Sequence, residues 1–165
     1  MNKAWNNMIH QMRRDHLPYY PEEIAIAAES GLNELLQANE SDYSHMISGL
    51  TEIERAHLIR VAGILSEIAV RKNDPHLIVL GLLGVGIEEQ VDDYRHSLVT
   101  LCMLHHSAVK LGVDATELFN RACSRCSDKS KAFILGYLSR GDKRLSSFML
   151  EEWDDAGVFR YGVTG

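Results

Sequence analysis

The sequence predicts an all-α protein of seven to nine antiparallel helices, arranged as a stack for which an armadillo- or HEAT-like superhelix stays open. Three observations carry this. Apolar residues recur at helical spacing along most of the chain. Serine, threonine or aspartate tends to open a run, and glycine or proline to close it. Between Asp74 and Met149 there is almost no alternating strand pattern. A chain of 165 residues reads as one domain, 1–165, with an acidic and aromatic tail at 150–165. At this length a hydrophobic core suffices without a disulfide or metal staple.

The first predicted helix covers 2–15, where Trp5, Met8, Ile9 and Met12 form one stripe. Pro18 and Pro21 enforce an extended link, and Pro21 suits the first turn of a second helix over 21–38. That helix has Glu22 and Glu23 at its positive end and buries Ile24, Ala27, Ala28, Leu32, Leu35 and Leu36. Gly31 inside it marks a bend or a close crossing. Ser41 is the expected cap of a short helix carrying Tyr43, Met46, Ile47 and Leu50, with Gly49 ending or kinking it. Thr51-Glu52-Ile53-Glu54 then reads as a capping box, in which the hydroxyl and the Glu54 carboxylate each satisfy a backbone N–H. The helix it opens runs to about Lys72 on a stripe of Leu58, Val61, Ala62, Leu65, Ile68 and Ala69.

Asp74 and Pro75 stop that helix and start the next as N-cap and first residue. The run Leu77 to Leu83 is apolar on every side, as a central helix would be, and Gly84 and Gly86 are expected to loosen the chain after it. A long helix over 92–111 turns Tyr94, Leu98, Leu101, Cys102, His105, Ala108 and Leu111 inward and ends at Gly112. Asp114 to Glu117 reads as a second capping box, opening a helix with Leu118, Phe119, Ala122 and Cys123. Ser127 or Asp128 starts a helix through Phe133, Ile134 and Leu138 that Gly141 closes, and Leu145, Phe148 and Met149 form a last short one.

A net charge of −6 argues against nucleic-acid binding, which needs a basic face to neutralise phosphates, and favours a basic protein partner. The first sixteen residues have no apolar core of signal-peptide type, and the longest apolar run, Leu77 to Ile87, is too short to span a bilayer. Three cysteines, an odd number, suggest reduced thiols. The expectation is a cytoplasmic protein that neither enters a membrane nor carries a cofactor, with self-association open.

Four groups of residues could carry chemistry. Cys102-x-x-His105 followed by Cys123-x-x-Cys126 has donor pairs at zinc-like spacing, and residues three apart on a helix share a face. The competing reading makes these thiols packing groups, because structural zinc pairs sit on glycine-rich knuckles. Arg121 and Arg125 beside Cys123 would favour its thiolate if it were exposed. Glu54-x-x-His57 has the form of a di-iron helix ligand, but the chain holds no second Glu-x-x-His; Asp93-x-x-His96 is the nearest approximation. His105 and His106 point about 100° apart on a helix, so only one is expected to face the core. Gly81 to Gly86 lacks the preceding strand and the lysine of a phosphate loop, which leaves close helix packing as its role.

The tail places Glu151, Glu152, Trp153, Asp154 and Asp155 beside Phe159 and Tyr161. Acidic charge next to tryptophan and tyrosine suits a docking patch for a basic partner, with Glu88, Glu89, Asp92 and Asp93 as an extension. The alternative is a solvated tail whose aromatics fold back on the core.

The segment from Asp92 to Leu101, continued by Leu104 to Asp114 and by Leu118-Phe119, is similar to bacterial helical proteins, some of which accompany polymorphic toxins as immunity proteins. It implies an all-helical fold and toxin neutralisation, with no catalytic residue. The sequence therefore points to a non-enzymatic protein-interaction module, of which a bacterial immunity protein is the concrete form. The competing class is a small metal-binding protein or enzyme using Cys102, His105, Cys123 and Cys126.

Overall fold

The computed structural model describes residues 2–14, 21–87 and 95–139. Within them are eight α-helices and no strand, and 86% of these residues are helical. The helices are α1 (Lys3–Arg14), α2 (Pro21–Gln37), α3 (Glu40–Ser48), α4 (Glu52–Lys72), α5 (His76–Gly86), α6 (Arg95–Leu111), α7 (Ala115–Cys123) and α8 (Asp128–Ser139). No described helix is long and apolar enough to cross a membrane.

The stack is organised around α5. Every residue from Leu77 to Gly86 is buried, and α5 packs against α2, α4, α6, α7 and α8. A helix apolar on all sides has no solvent face, so it must sit at the centre. One contiguous core draws on all eight helices, from Trp5 and Met8 of α1 through Met46 of α3 to Ile134 and Tyr137 of α8.

Glycines set how closely the helices approach. A Cβ at Gly81 would lie 2.7 Å from Leu104 Cδ2 of α6, and one at Gly84 would lie 3.4 Å from the Leu58 carbonyl of α4. Gly84 meets Leu58 and Gly81 meets Ala62, so α5 runs antiparallel to α4. The two glycines expected to loosen the chain, Gly84 and Gly86, stay inside α5. Buried apolar neighbours on every side outweigh their weak helix propensity. Gly31 marks the α1–α2 crossing, where an added Cβ would lie 2.8 Å from Met8 Cβ.

The caps explain the helix starts. The box at Thr51 is complete: Thr51 N donates to Glu54 Oε1 at 3.0 Å, and Glu54 N donates to Thr51 Oγ1 at 3.2 Å. α3 begins one residue before the expected cap at Ser41, because Asn39 Oδ1 accepts from Asp42 N at 2.8 Å and takes the capping role. Asp114 caps α7 by accepting from Thr116 N at 2.9 Å, a simple cap where a reciprocal box was expected. Asp74 accepts from His76 N at 3.1 Å, and Pro75 precedes the first helical residue instead of being it. Asn73, in the left-handed conformation at φ 52°, ends α4. Ser127 Oγ accepts from Ser130 N at the start of α8. Of the predicted 92–111 helix, the described part runs from Arg95. The expected stop at Gly141 and the last short helix lie outside the described residues.

Candidate functional site

Two regions combine polar chemistry with access. The first is a groove of about 610 Å³ between α1 and α2. The inward stripe of α1, Trp5, Met8, Ile9 and Met12, is buried in the core, which leaves Lys3, Asn7 and Gln11 along the groove wall. α2 contributes Glu23, Ile26, Ser30 and Glu34 opposite them. Ile26 is 63% exposed, one of three large apolar side chains among the described residues that remain in solvent. Glu34 closes one end by receiving the N–H groups of Ala4 at 3.4 Å and Trp5 at 3.2 Å, placing a carboxylate on the positive end of α1.

The second region is the junction of α7 and α8. Cys123 is the last residue of α7 and is buried, while Cys126 is half-buried in the following turn. The neighbouring Cys126 thiol holds the Cys123 thiol below its ordinary pKa of 9.0. Burial opposes the shift, and the Lys131 ammonium assists it. The expected contribution of Arg121 and Arg125 is not among the causes.

The four donors at zinc-like spacing are placed apart in role. Cys102 is fully buried in the core on α6. His105 belongs to an aromatic cluster, with Nδ1 3.3 Å from Tyr137 Oη and its ring edge-on to Phe119 and Tyr137 at centroid distances of 6.1 and 5.9 Å. Phe119 and Tyr137 stack on each other. Cys123 and Cys126 share a hydrogen-bonded turn, and among the described residues no group of three or more histidine, cysteine or acidic side chains is placed to hold a metal ion. Glu54 is committed to its capping box. His105 is the expected hydrogen-bonded inner histidine, whereas His106, expected at the surface, is half-buried.

Three polar features escaped the sequence reading. Arg55 bridges the C-terminal ends of α3 and α5 by donating to the Ile87 carbonyl at 2.7 Å and the Ile47 carbonyl at 3.1 Å. His76 Nε2 meets Asn33 Oδ1 at 2.6 Å and ties α5 to α2. Glu67 is buried with no hydrogen-bond partner on either carboxylate oxygen. Burial pushes its pKa up from an ordinary 4.5 to about 8, against the pull of Arg71. The signal for Glu67 was its place beside Ser66 in a strongly apolar stretch, Val61 to Val70.

The tail residues Glu151, Glu152, Trp153, Asp154, Asp155, Phe159 and Tyr161 lie outside the described residues, as do Glu88, Glu89, Asp92 and Asp93. No family model, curated protein or solved structure matches the chain.

Proposed function

We propose that this protein is a non-enzymatic interaction module that binds a basic segment of another protein, and that neutralisation of a toxin by an immunity-type protein is the concrete form of that role. The observation that carries the reading is the α1–α2 groove. Its lining includes an exposed isoleucine, Ile26, and the carboxylates of Glu23 and Glu34, with Lys3 the one cation among the described residues that line it. An apolar anchor point flanked by acidic groups complements an amphipathic helix with basic edges. The net charge of −6 adds long-range attraction for such a partner. In sequence, Glu151 to Asp155 with Phe159 and Tyr161 have the same acidic and aromatic character.

The test uses the product of the neighbouring reading frame as ligand. Complex formation is measured by calorimetry at low and high salt, and protection by co-expression growth. The double variant Glu23→Lys, Ile26→Asp should weaken binding on the order of tenfold or more and abolish protection. Reversal of Glu151, Glu152, Asp154 and Asp155 to lysine should reduce binding mainly at low salt. Binding unchanged in both variants, or no binding by the neighbouring product, would remove the proposal.

A further inference from the structure

We infer that Cys123 and Cys126 form a thiol–disulfide exchange site, closing reversibly into an intramolecular disulfide when the protein meets a small disulfide of the glutathione class.

The backbone is arranged for closure. Cys126 N donates to the Cys123 carbonyl at 3.2 Å, a three-residue hydrogen bond that closes a tight turn. Such a turn holds its end Cα atoms within about 7 Å, the range a disulfide spans. Cys126 lies outside α7, so closing the bridge bends a turn and leaves the helix intact. The Cys126 side chain sits on the Ala122 carbonyl and against Gly86, so closure turns its sulfur toward Cys123. Cys126 Sγ donates to the Ala122 carbonyl at 3.4 Å. Oxidation removes that donor, but the Ala122 carbonyl keeps the Arg125 N–H at 3.2 Å, so no buried acceptor is stranded.

The pair divides the two steps by exposure. Cys126 is half-buried and reachable, and Cys123 is enclosed at 2% exposure. The Cys126 thiolate attacks one sulfur of the glutathione disulfide and expels the first glutathione thiolate. The Cys123 thiolate then attacks Cys126 Sγ in the mixed disulfide and expels the second. Two protein S–H bonds and one glutathione S–S bond are exchanged for one protein S–S bond and two glutathione thiols, which take up the two protons. Cys102 sits on α6, fully buried, and is not part of the exchange.

The site is coupled to the end of α5. Cys126 Sγ lies so close to the Gly86 backbone that a Cβ there would be 2.5 Å from it. Ser130, four residues on in α8, donates its hydroxyl to the Gly86 carbonyl at 2.5 Å. Drawing the sulfur toward Cys123 withdraws it from Gly86 and loosens the last turn of the central helix.

The experiment equilibrates the full chain in glutathione redox buffers, natively and in urea, followed by acid quench, alkylation and peptide mass spectrometry. Native protein should lose about 2 Da across the peptide joining Cys123 and Cys126, reversibly with dithiothreitol, while Cys102 alkylates only after unfolding. Closure should need at least about tenfold less oxidised glutathione in the native state than in urea, equivalent to about 30 mV. Cys123→Ser should instead trap a stable glutathione adduct on Cys126. Amide exchange at Val85 to Ile87 should quicken on oxidation. A persistent mixed disulfide on Cys126 in the native chain, closure no easier than in urea, or a bridge to Cys102 would each overturn the inference.

Discussion

The buried carboxyl of Glu67 makes stability fall as pH rises. Both oxygens lack a partner, and its pKa in the folded chain is about 8 against an ordinary 4.5. Between those values the folded state holds a proton that the unfolded state has released. The favourable contribution is therefore complete below pH 4.5 and lost as pH climbs through 8. Each pH unit of that gap is worth about 1.36 kcal/mol, so the ceiling is about 5 kcal/mol. Water reaching the ionised group removes part of it, which leaves about 3 kcal/mol. Glu67→Gln keeps the shape and cannot ionise, and the cost of its own buried amide is the same at every pH. Urea denaturation of both proteins at about pH 5 and about pH 8, a window that holds most of that titration, should show the variant gaining about 2 kcal/mol on the native chain between the two. Taking the difference removes most other titrations, including that of His57. Burial, with help from Arg60, holds the His57 pKa below 6.5, so it destabilises the fold in the opposite direction, as pH falls. Parallel stability curves for the two proteins would show that Glu67 ionises without cost, and the burial argument would be lost.

Arg55→Met should cost about 2–3 kcal/mol, because it keeps the apolar stem but removes charged donors from the Ile47 and Ile87 carbonyls. Hydrogen exchange should rise at Leu50 and Ile87, and unchanged protection there would show that the clamp carries no load. Two glycine substitutions should move stability in opposite directions. Gly31→Ala drives a methyl to 2.8 Å from Met8 Cβ and 3.2 Å from the Ala4 carbonyl, and should destabilise by about 1–3 kcal/mol. Gly136→Ala meets nothing within 4 Å inside α8 and should stabilise by about 0.5–1 kcal/mol. Thermal denaturation reads both shifts, and an unchanged midpoint for Gly31→Ala would refute the close α1–α2 crossing.

The helices were legible because two local signals agree. Apolar period and capping chemistry act over three to seven residues, and each narrows the other. The Thr51 box fixes where α4 starts, and Leu58, Val61 and Leu65 fix which side it buries. Where one signal stood alone, the boundary moved. Ser41 and Asn39 are both competent caps, and the backbone chose Asn39. Gly84 and Gly86 were read as breaks from propensity, yet the whole of α5 lies inside other helices, and burial decided the outcome.

The candidate surfaces were harder to read because they depend on which helices meet. Ile26 falls just outside the buried stripe of α2 and looks unremarkable in sequence; only α1 alongside makes it part of a groove's lining. Spacing alone paired Cys102-His105 with Cys123-Cys126 as equals. In the fold the first pair is divided between the core and an aromatic cluster, and the second is a closed turn. The difference is local geometry. Cys123 and Cys126 are brought together by a hydrogen bond within their own turn, which any tertiary arrangement would preserve. Cys102 and His105 could join them only if α6 approached α7 with its donors outward. α6 instead spends that face on the core: a Cβ at Gly81 of α5 would meet Leu104, and Cys102 and Ala108 are buried there too. Helix packing thus separates Cys123 and Cys126 from the would-be ligand set, while the open groove lies on the side of the molecule built by α1 and α2.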